Sequence, residues 1–211
     1  MKPKKQYYEN ISKSIIKGLE KRQMEGYYCP DRESAVKLAL ELMPEGSSIG
    51  WGGSLTLTET GLMDAIRNSD YEIIDRETAS TPEEQRKLYG EICCSDFFLM
   101  STNAITVDGE LINIDGRGNR VAFLCFGPQN VIVFAGMNKV VTDVEAGLSR
   151  ARNMAAPPNT VRLNKKTPCS VTGKCGDCFS PDCICSQFVV TRRSGVPNRI
   201  KVILVGEELG Y

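Results

Sequence analysis

The chain has 211 residues, 26 basic and 26 acidic side chains for a formal net charge of zero, nine cysteines and no histidine. That length buries the core of one large α/β domain without cross-links, the balanced charge exerts no long-range pull on a nucleic-acid backbone, and no apolar run reaches the roughly 18–20 residues that span a bilayer. Without histidine, Ser-His-Asp and Cys-His catalysis are excluded with every imidazole-dependent metal site, and acid–base work falls to Asp, Glu, Lys, Tyr or Cys.

The basic start MKPKK is not followed by the apolar stretch and small-residue cleavage site of a signal peptide, so a cytoplasmic address is expected. Tyr7, Tyr8, Ile11, Ile15, Ile16 and Leu19 recur at helical spacing, and Ala35, Val36, Leu38, Ala39, Leu42 and Met43 repeat the pattern up to Pro44. Residues 1–44 therefore read as helices packed on a domain that occupies 45–211. SSIGW is a strand, GGS a tight turn and LTLTETGLMDAIRNS a helix with Thr56 and Glu59 at capping-box spacing. YEIID is the next strand, a helix begins at Pro82 behind the Thr81–Glu84 capping box, and DFFLMST is a buried strand. NAITVDGELINID is a β-hairpin turning at Asp108-Gly109, and GRGNRVAFLC opens a short helix from a glycine-rich loop. NVIVFAG is a fully apolar strand, TDVEAGLSRARNMAAPPN a helix ended by Pro157 and Pro158 with a solvated basic face, and RIKVILVGEELG the last strand. Strand and helix alternate, which predicts an α/β fold: a mainly parallel sheet flanked by helices, with a β-hairpin insertion and a Cys-rich C-terminal loop.

Ligands of open α/β sheets bind beyond the carboxyl ends of the strands, and three loops lie there. Gly50, Gly52, Gly53 and Ser54 form a turn able to hold a phosphate or carboxylate on backbone N–H groups, or one in which glycine serves only the backbone. Asp115, Arg117, Asn119 and Arg120 surround two glycines, and Asn103, Asn138 and Lys139 each follow an apolar strand. Lys139 is a cation held near a strand end by a loop, or an ordinary surface lysine. Asp and Asn at such places also serve as helix caps and turn formers, and Trp51 is a pocket wall or a packed aromatic.

Cys169 to Cys185 follow the spacing C-x5-C-x2-C-x4-C-x-C. In a reducing compartment clustered thiols point to metal or redox chemistry rather than structural disulfides. The Cys175–Cys178 pair, flanked by glycines, suits thiolate ligation of zinc or of a [4Fe-4S] cluster, and the spacing does not separate them. Cys93 and Cys94 are adjacent on a helix and face different ways, and Cys29 and Cys125 read as small core hydrophobes.

The run STNAITVDGELINIDGRGNRVAFLCFGPQNVIVFAGMNKVVTDVEAGLSRARNMAAPPNTVRLN, with TPCSVTGKCGDCFSPDCIC and IKVILVGEELG after it, resembles the LUD domain of lactate utilization proteins over residues 45–211. The resemblance implies a NagB/RpiA/CoA-transferase-like fold, with GWGGS as the first ligand loop and a pocket of Gly50, Gly52, Gly53, Ser54, Asn103, Asp115, Arg117, Asn119, Asn138 and Lys139. The catalytic carboxylate of the sugar-isomerase relatives has no match here, and Glu59 is the candidate acid beside Lys139. Within 167–187 the family pattern C-x5-C-x2-C-x6-C selects Cys169, Cys175, Cys178 and Cys185 as metal ligands and leaves Cys183 over. The function implied is an accessory part in oxidising lactate to pyruvate, with a small-molecule ligand, iron-sulfur oxidoreductase partner proteins, no nucleic acid, no membrane, and the oligomeric state open. The alternatives are a regulatory binding domain with structural zinc, and a sugar-phosphate isomerase or CoA-transferase-like enzyme.

Overall fold

The computed structural model describes residues 3–211. Helix α1 (Pro3–Lys21) turns Ile15 and Leu19 fully inward, and strand β1 (Glu25–Cys29) follows at once. The side chain of Asp31 caps α2 (Arg32–Leu42) by accepting from the Ser34 N–H. Strand β2 (Ser48–Trp51) runs through Gly52 and Gly53 into α3 (Leu55–Glu59) and α4 (Leu62–Arg67), and β3 (Glu72–Ile74) leads to a 3-10 turn at Arg76–Thr78. Helix α5 (Pro82–Cys93) begins on the expected capping box: Thr81 accepts from the Glu84 N–H while the Glu84 carboxylate accepts from the Thr81 N–H. Strand β4 (Phe97–Ser101) precedes the hairpin of β5 (Ala104–Thr106) and β6 (Leu111–Asp115). Its turn places Gly109 at φ +87, where a side chain would also strike the backbone of Leu19. Then come α6 (Asn119–Cys125), β7 (Asn130–Gly136), a 3-10 turn at Met137–Lys139 and β8 (Val140–Val141). The chain closes with α7 (Val144–Arg150), α8 (Ala156–Arg162), α9 (Pro168–Thr172), β9 (Gln187–Thr191) and β10 (Ile200–Val205).

Six strands pair in parallel in the order β1-β10-β7-β4-β2-β3, and the hairpin joins a second sheet ordered β8-β5-β6-β9. Burial on both faces explains the unbroken apolar runs of β4 and β7. Alternate residues part to opposite sides: Phe98, Met100, Val131 and Val133 pack with Ile15, Leu19 and Ile92 on one face. On the other, Phe97, Leu99, Ile132 and Phe134 pack with Ala35, Ala39, Leu57 and Ile66. Trp51 belongs to this second core, with the Arg67 guanidinium 5.9 Å from its ring, and is a packed aromatic.

The expected α/β architecture with its mainly parallel sheet and hairpin is present. Several local expectations need correction. Residues 1–44 hold a strand besides their helices: β1 is an edge of the main sheet, paired along its length with β10. Its sequence EGYYC lacks the apolar run of the inner strands because only Cys29 is buried. Ser54, not Thr56, caps α3, since its side chain accepts from the Leu57 N–H. Pro157 and Pro158 do not end a helix; a π-helical turn over Ala151–Ala155 carries the chain into α8, whose first turn tolerates proline. Arg150 is buried rather than solvated, and Cys125 is exposed although Cys29 is core. Cys93 packs against the core while Cys94 is exposed, as their spacing requires.

Candidate active site at the strand ends

The carboxyl ends of β2, β3, β4 and β6 and the turn after β7 converge on one cavity of about 310 Å³. From the sequence-predicted set it brings together Gly53, Ser54, Asn103, Asp115, Arg117, Asn119 and Lys139. Gly50, Gly52, Glu59 and Asn138 are not among its lining residues. Arg76, Arg120, Arg162, Ile184 and Tyr211 line it as well.

Lys139 is 3 % exposed, and its Nζ donates to Thr56 Oγ1 and Ser101 Oγ, both at 2.9 Å. Among the described residues no carboxylate forms a salt bridge with it. Burial first, then the nearby guanidinium groups of Arg150 and Arg120, lower its pKa from 10.5 to about 7, with Glu59 opposing the shift. Arg150 fixes the surrounding loops by donating to the carbonyls of Asn138 and Asn103.

Arg120, on the first turn of α6, is half-buried, and its guanidinium is answered on every side. It donates to the carbonyls of Ser101 at 3.0 Å and Ile114 at 2.8 Å, and to the amide oxygens of Asn113 at 2.9 Å and Asn103 at 3.0 Å. Asp115 Oδ2 lies 3.5 Å from its Nε. Burial still pushes its pKa down, against the pull of Asp115. Asn103 Oδ1 takes both Arg120 and the Ile114 N–H, which leaves its NH2 group for the cavity it lines.

Glu59 is exposed and accepts from the Gly210 N–H at 2.6 Å, while Asn138 accepts from the Leu209 N–H and donates to the Leu209 and Gly210 carbonyls. Together they hold the segment that brings Tyr211 to the cavity. The glycines of β2 and its turn serve close packing: a Cβ at Gly50 would stand 2.7 Å from Ile92, at Gly52 3.2 Å from the Arg120 stem, and at Gly53 3.0 Å from Arg76 Nη2. None of the three has a positive φ. Arg76 and Ser101 escaped the sequence reading although each lies at or just beyond a strand end, the signal that found Lys139. Tyr211 had no such signal.

The cysteine segment forms part of the same wall. Ile184 lines the cavity, and the Ser186 N–H donates to the Asp115 carbonyl at 3.0 Å. Cys169 is buried, with its sulfur 3.2 Å from Thr167 Oγ1 and 3.6 Å from Thr160 Oγ1. Cys175 accepts from Arg152 Nη2 at 3.4 Å. Burial, then the neighbouring Cys183, Cys175 and Cys169, push the Cys185 thiol up to about 12. Cys183, left over by the family pattern, is thus one of the thiols that raise Cys185. Among the described residues no group of three or more Cys, Asp or Glu stands where it could hold a metal ion. The donor chemistry suits thiophilic metal, but as folded the segment is a loose thiol cluster. No described helix is long and apolar enough to cross a membrane.

Among solved structures, the chain is similar to a DUF162 family protein from Deinococcus radiodurans, at 15% identity and TM-score 0.54, covering 94% of this chain and 98% of that one. It is more distantly similar to eIF2B delta from Chaetomium thermophilum (16% identity, TM-score 0.38, 56% of this chain and 50% of that one). Ribose 5-phosphate isomerase A from Neisseria gonorrhoeae follows (13% identity, TM-score 0.36, 54% of each chain). The first likeness shows a shared fold; the other two are too partial to support an argument. No curated protein sequence matches. The family model of the LUD domain matches residues 12–205, a span that takes in β1 and the lining of the cavity apart from Tyr211. The chain belongs to the LUD domain family and is a protein of the lactate-utilization type.

Proposed function

We propose that this protein is an accessory component of lactate-to-pyruvate oxidation that holds a small carboxylate or phosphorylated ligand at the strand ends. The observation that carries this reading is the charge of the cavity wall. Arg76, Arg117, Arg120 and Arg162 line it, against Asp115 as the one carboxylate side chain among the lining residues. Arg76 Nε is buried with no hydrogen-bond partner, and a bound anion would answer such a donor with a charge-assisted bond. The test is the shift in melting temperature caused by lactate, pyruvate, inorganic phosphate and ribose 5-phosphate, in wild type and in Arg76→Ala. Binding sites for organic anions predict a rise for at least one ligand, reduced in the variant. No shift with any of the four ends the reading, and a shift with the sugar phosphate alone favours the isomerase or transferase alternative.

The thiol segment enters the same proposal as the place of a [4Fe-4S] cluster or zinc on Cys169, Cys175, Cys178 and Cys185, with an iron-sulfur oxidoreductase as partner. Cys175 would exchange its Arg152 hydrogen bond for the metal. A cluster gives coloured protein when prepared without oxygen, whereas zinc gives colourless protein with bound metal. A structural zinc makes the regulatory binding domain the better description, because Cys183 and Cys185 flank Ile184 of the cavity wall. Protein that binds neither metal removes this part of the proposal.

A further inference from the structure

The anion reading of the cavity leaves one lining group unexplained. An anion site is served best by guanidinium forks, which stay charged and bind in two directions. Lys139 differs from the arginines around it in being almost fully enclosed and in donating only to the neutral hydroxyls of Thr56 and Ser101. Resting on the reading of the cavity as an organic-anion site, we propose that Lys139 is a nucleophile that captures a small carbonyl compound carrying a carboxylate or phosphate, as an imine.

The arrangement supplies what this chemistry needs. An amine attacks only when unprotonated, and desolvation beside other cations is a recognised way to keep a lysine so. Burial, Arg150 and Arg120 bring Lys139 to a pKa of about 7, so a large share of the amine is free at neutral pH. Ser101 ties amine and guanidinium together, since its hydroxyl accepts from Lys139 and its carbonyl from Arg120. Arg76 lies against Gly53, three residues before Thr56, with its buried Nε unpaired. A ligand whose anionic group meets Arg76 or Arg117 therefore has its remaining atoms in the cavity that the amine also lines.

In the step itself, the Nζ lone pair forms a bond to the carbonyl carbon and the carbonyl π pair moves to oxygen. Proton transfer from nitrogen to oxygen gives the carbinolamine. The C–O bond then breaks, one water leaves, and the C=N bond remains. The Thr56 and Ser101 hydroxyls, each able to donate and accept, stand at the nitrogen where those protons move. No oxidant, reductant or metal is required, and hydrolysis reverses the step.

The experiment is borohydride trapping on the full chain with pyruvate in one arm and dihydroxyacetone phosphate in another, followed by intact mass and peptide mapping. Lactate, which has no ketone, serves as a third arm, and the melting temperature is measured in all three. One reduced adduct per chain on the peptide containing Lys139, with trapping that rises as pH passes through about 7, is the expected result, and the productive arm identifies the anionic group. Lys139→Met should abolish that adduct, with far-ultraviolet circular dichroism confirming its fold. A melting shift without an adduct at Lys139, or adducts spread over exposed lysines such as Lys37 and Lys87, overturns the imine and leaves the anion reading standing. No shift and no adduct in any arm overturns both.

Discussion

The floor of the cavity and its outer wall are built in opposite ways. On the floor, Arg120 meets two carbonyls, two amide oxygens and a carboxylate, so its geometry is fixed once β4, β6 and α6 have formed. On the wall, residues 167–187 are held by polar contacts scattered one at a time along the loop, such as Asp182 accepting from the Lys166 N–H and Arg152 pairing with Asp177. Phe179 there is fully exposed. The sulfurs come near one another without reaching metal-holding positions. A guanidinium with all its donors answered specifies one arrangement, even though Asn113 Nδ2 and Asp115 Oδ2 beside it have no hydrogen-bond partner, whereas a thiol-rich loop takes its final form from what binds it. Lys139 stands between the two cases: buried like the floor, yet only partly answered.

The largest effect separating floor from wall is expected for Arg120→Met, which leaves Asp115 without its counter-charge and takes a donor from four acceptors, of which Asn103 Oδ1 keeps the Ile114 N–H. Urea unfolding should register a loss of about 3–5 kcal/mol, and a loss under about 1 kcal/mol would deny the floor its anchoring role. Lys139→Met should do the opposite at neutral pH, gaining roughly 1–3 kcal/mol, because Thr56 and Ser101 keep other acceptors in the Leu209 and Thr102 carbonyls. The sign of its pH dependence follows from the lowered pKa. Between about 7 and 10.5 the unfolded chain binds the proton that the folded chain releases. Wild-type stability therefore rises with pH across that window, contributes no further change below about 7, and loses this slope in Lys139→Met. Equal slopes in unfolding measured at several pH values would mean that Lys139 stays charged.

Smaller effects sharpen the wall. Ile184→Ala should leave stability within about 1 kcal/mol while weakening anion binding several-fold, measured by calorimetric titration; unchanged affinity would detach the segment from the cavity. For the thiols, Cys183→Ser and Cys178→Ser should both fold within about 0.5 kcal/mol of wild type but differ in metal content. The family pattern predicts that only Cys178→Ser loses metal. Metal lost from Cys183→Ser and kept in Cys178→Ser would overturn that ligand set, and metal analysis of the two variants decides.

Much of the frame was legible because local chemistry and tertiary need agree. The capping box at Thr81, the hairpin at Asp108-Gly109 and the apolar runs of β4 and β7 are each dictated by neighbours in sequence, and each formed where expected. β1 was missed because an edge strand with one buried residue carries no periodic apolar signal. The helix over 144–162 was cut short because proline usually stops a helix, and the π-helical turn that absorbs it has no composition of its own.

The site divides along the same line. Sequence alone determined which residue types stand at strand ends, hence Ser54, Asn103, Asp115, Arg117, Asn119 and Lys139, because strand termini follow from patterning. Only the tertiary structure decided that Glu59 and Asn138 tie down residues 209–210, that Gly50 and Gly52 make room for Ile92 and Arg120, and that Arg76 joins the cavity. Those roles depend on contacts between segments as much as 151 positions apart. A residue's type and neighbours carry its propensity, but its solvation and partners, and so the chemistry of Lys139, exist only once distant strands have closed around it.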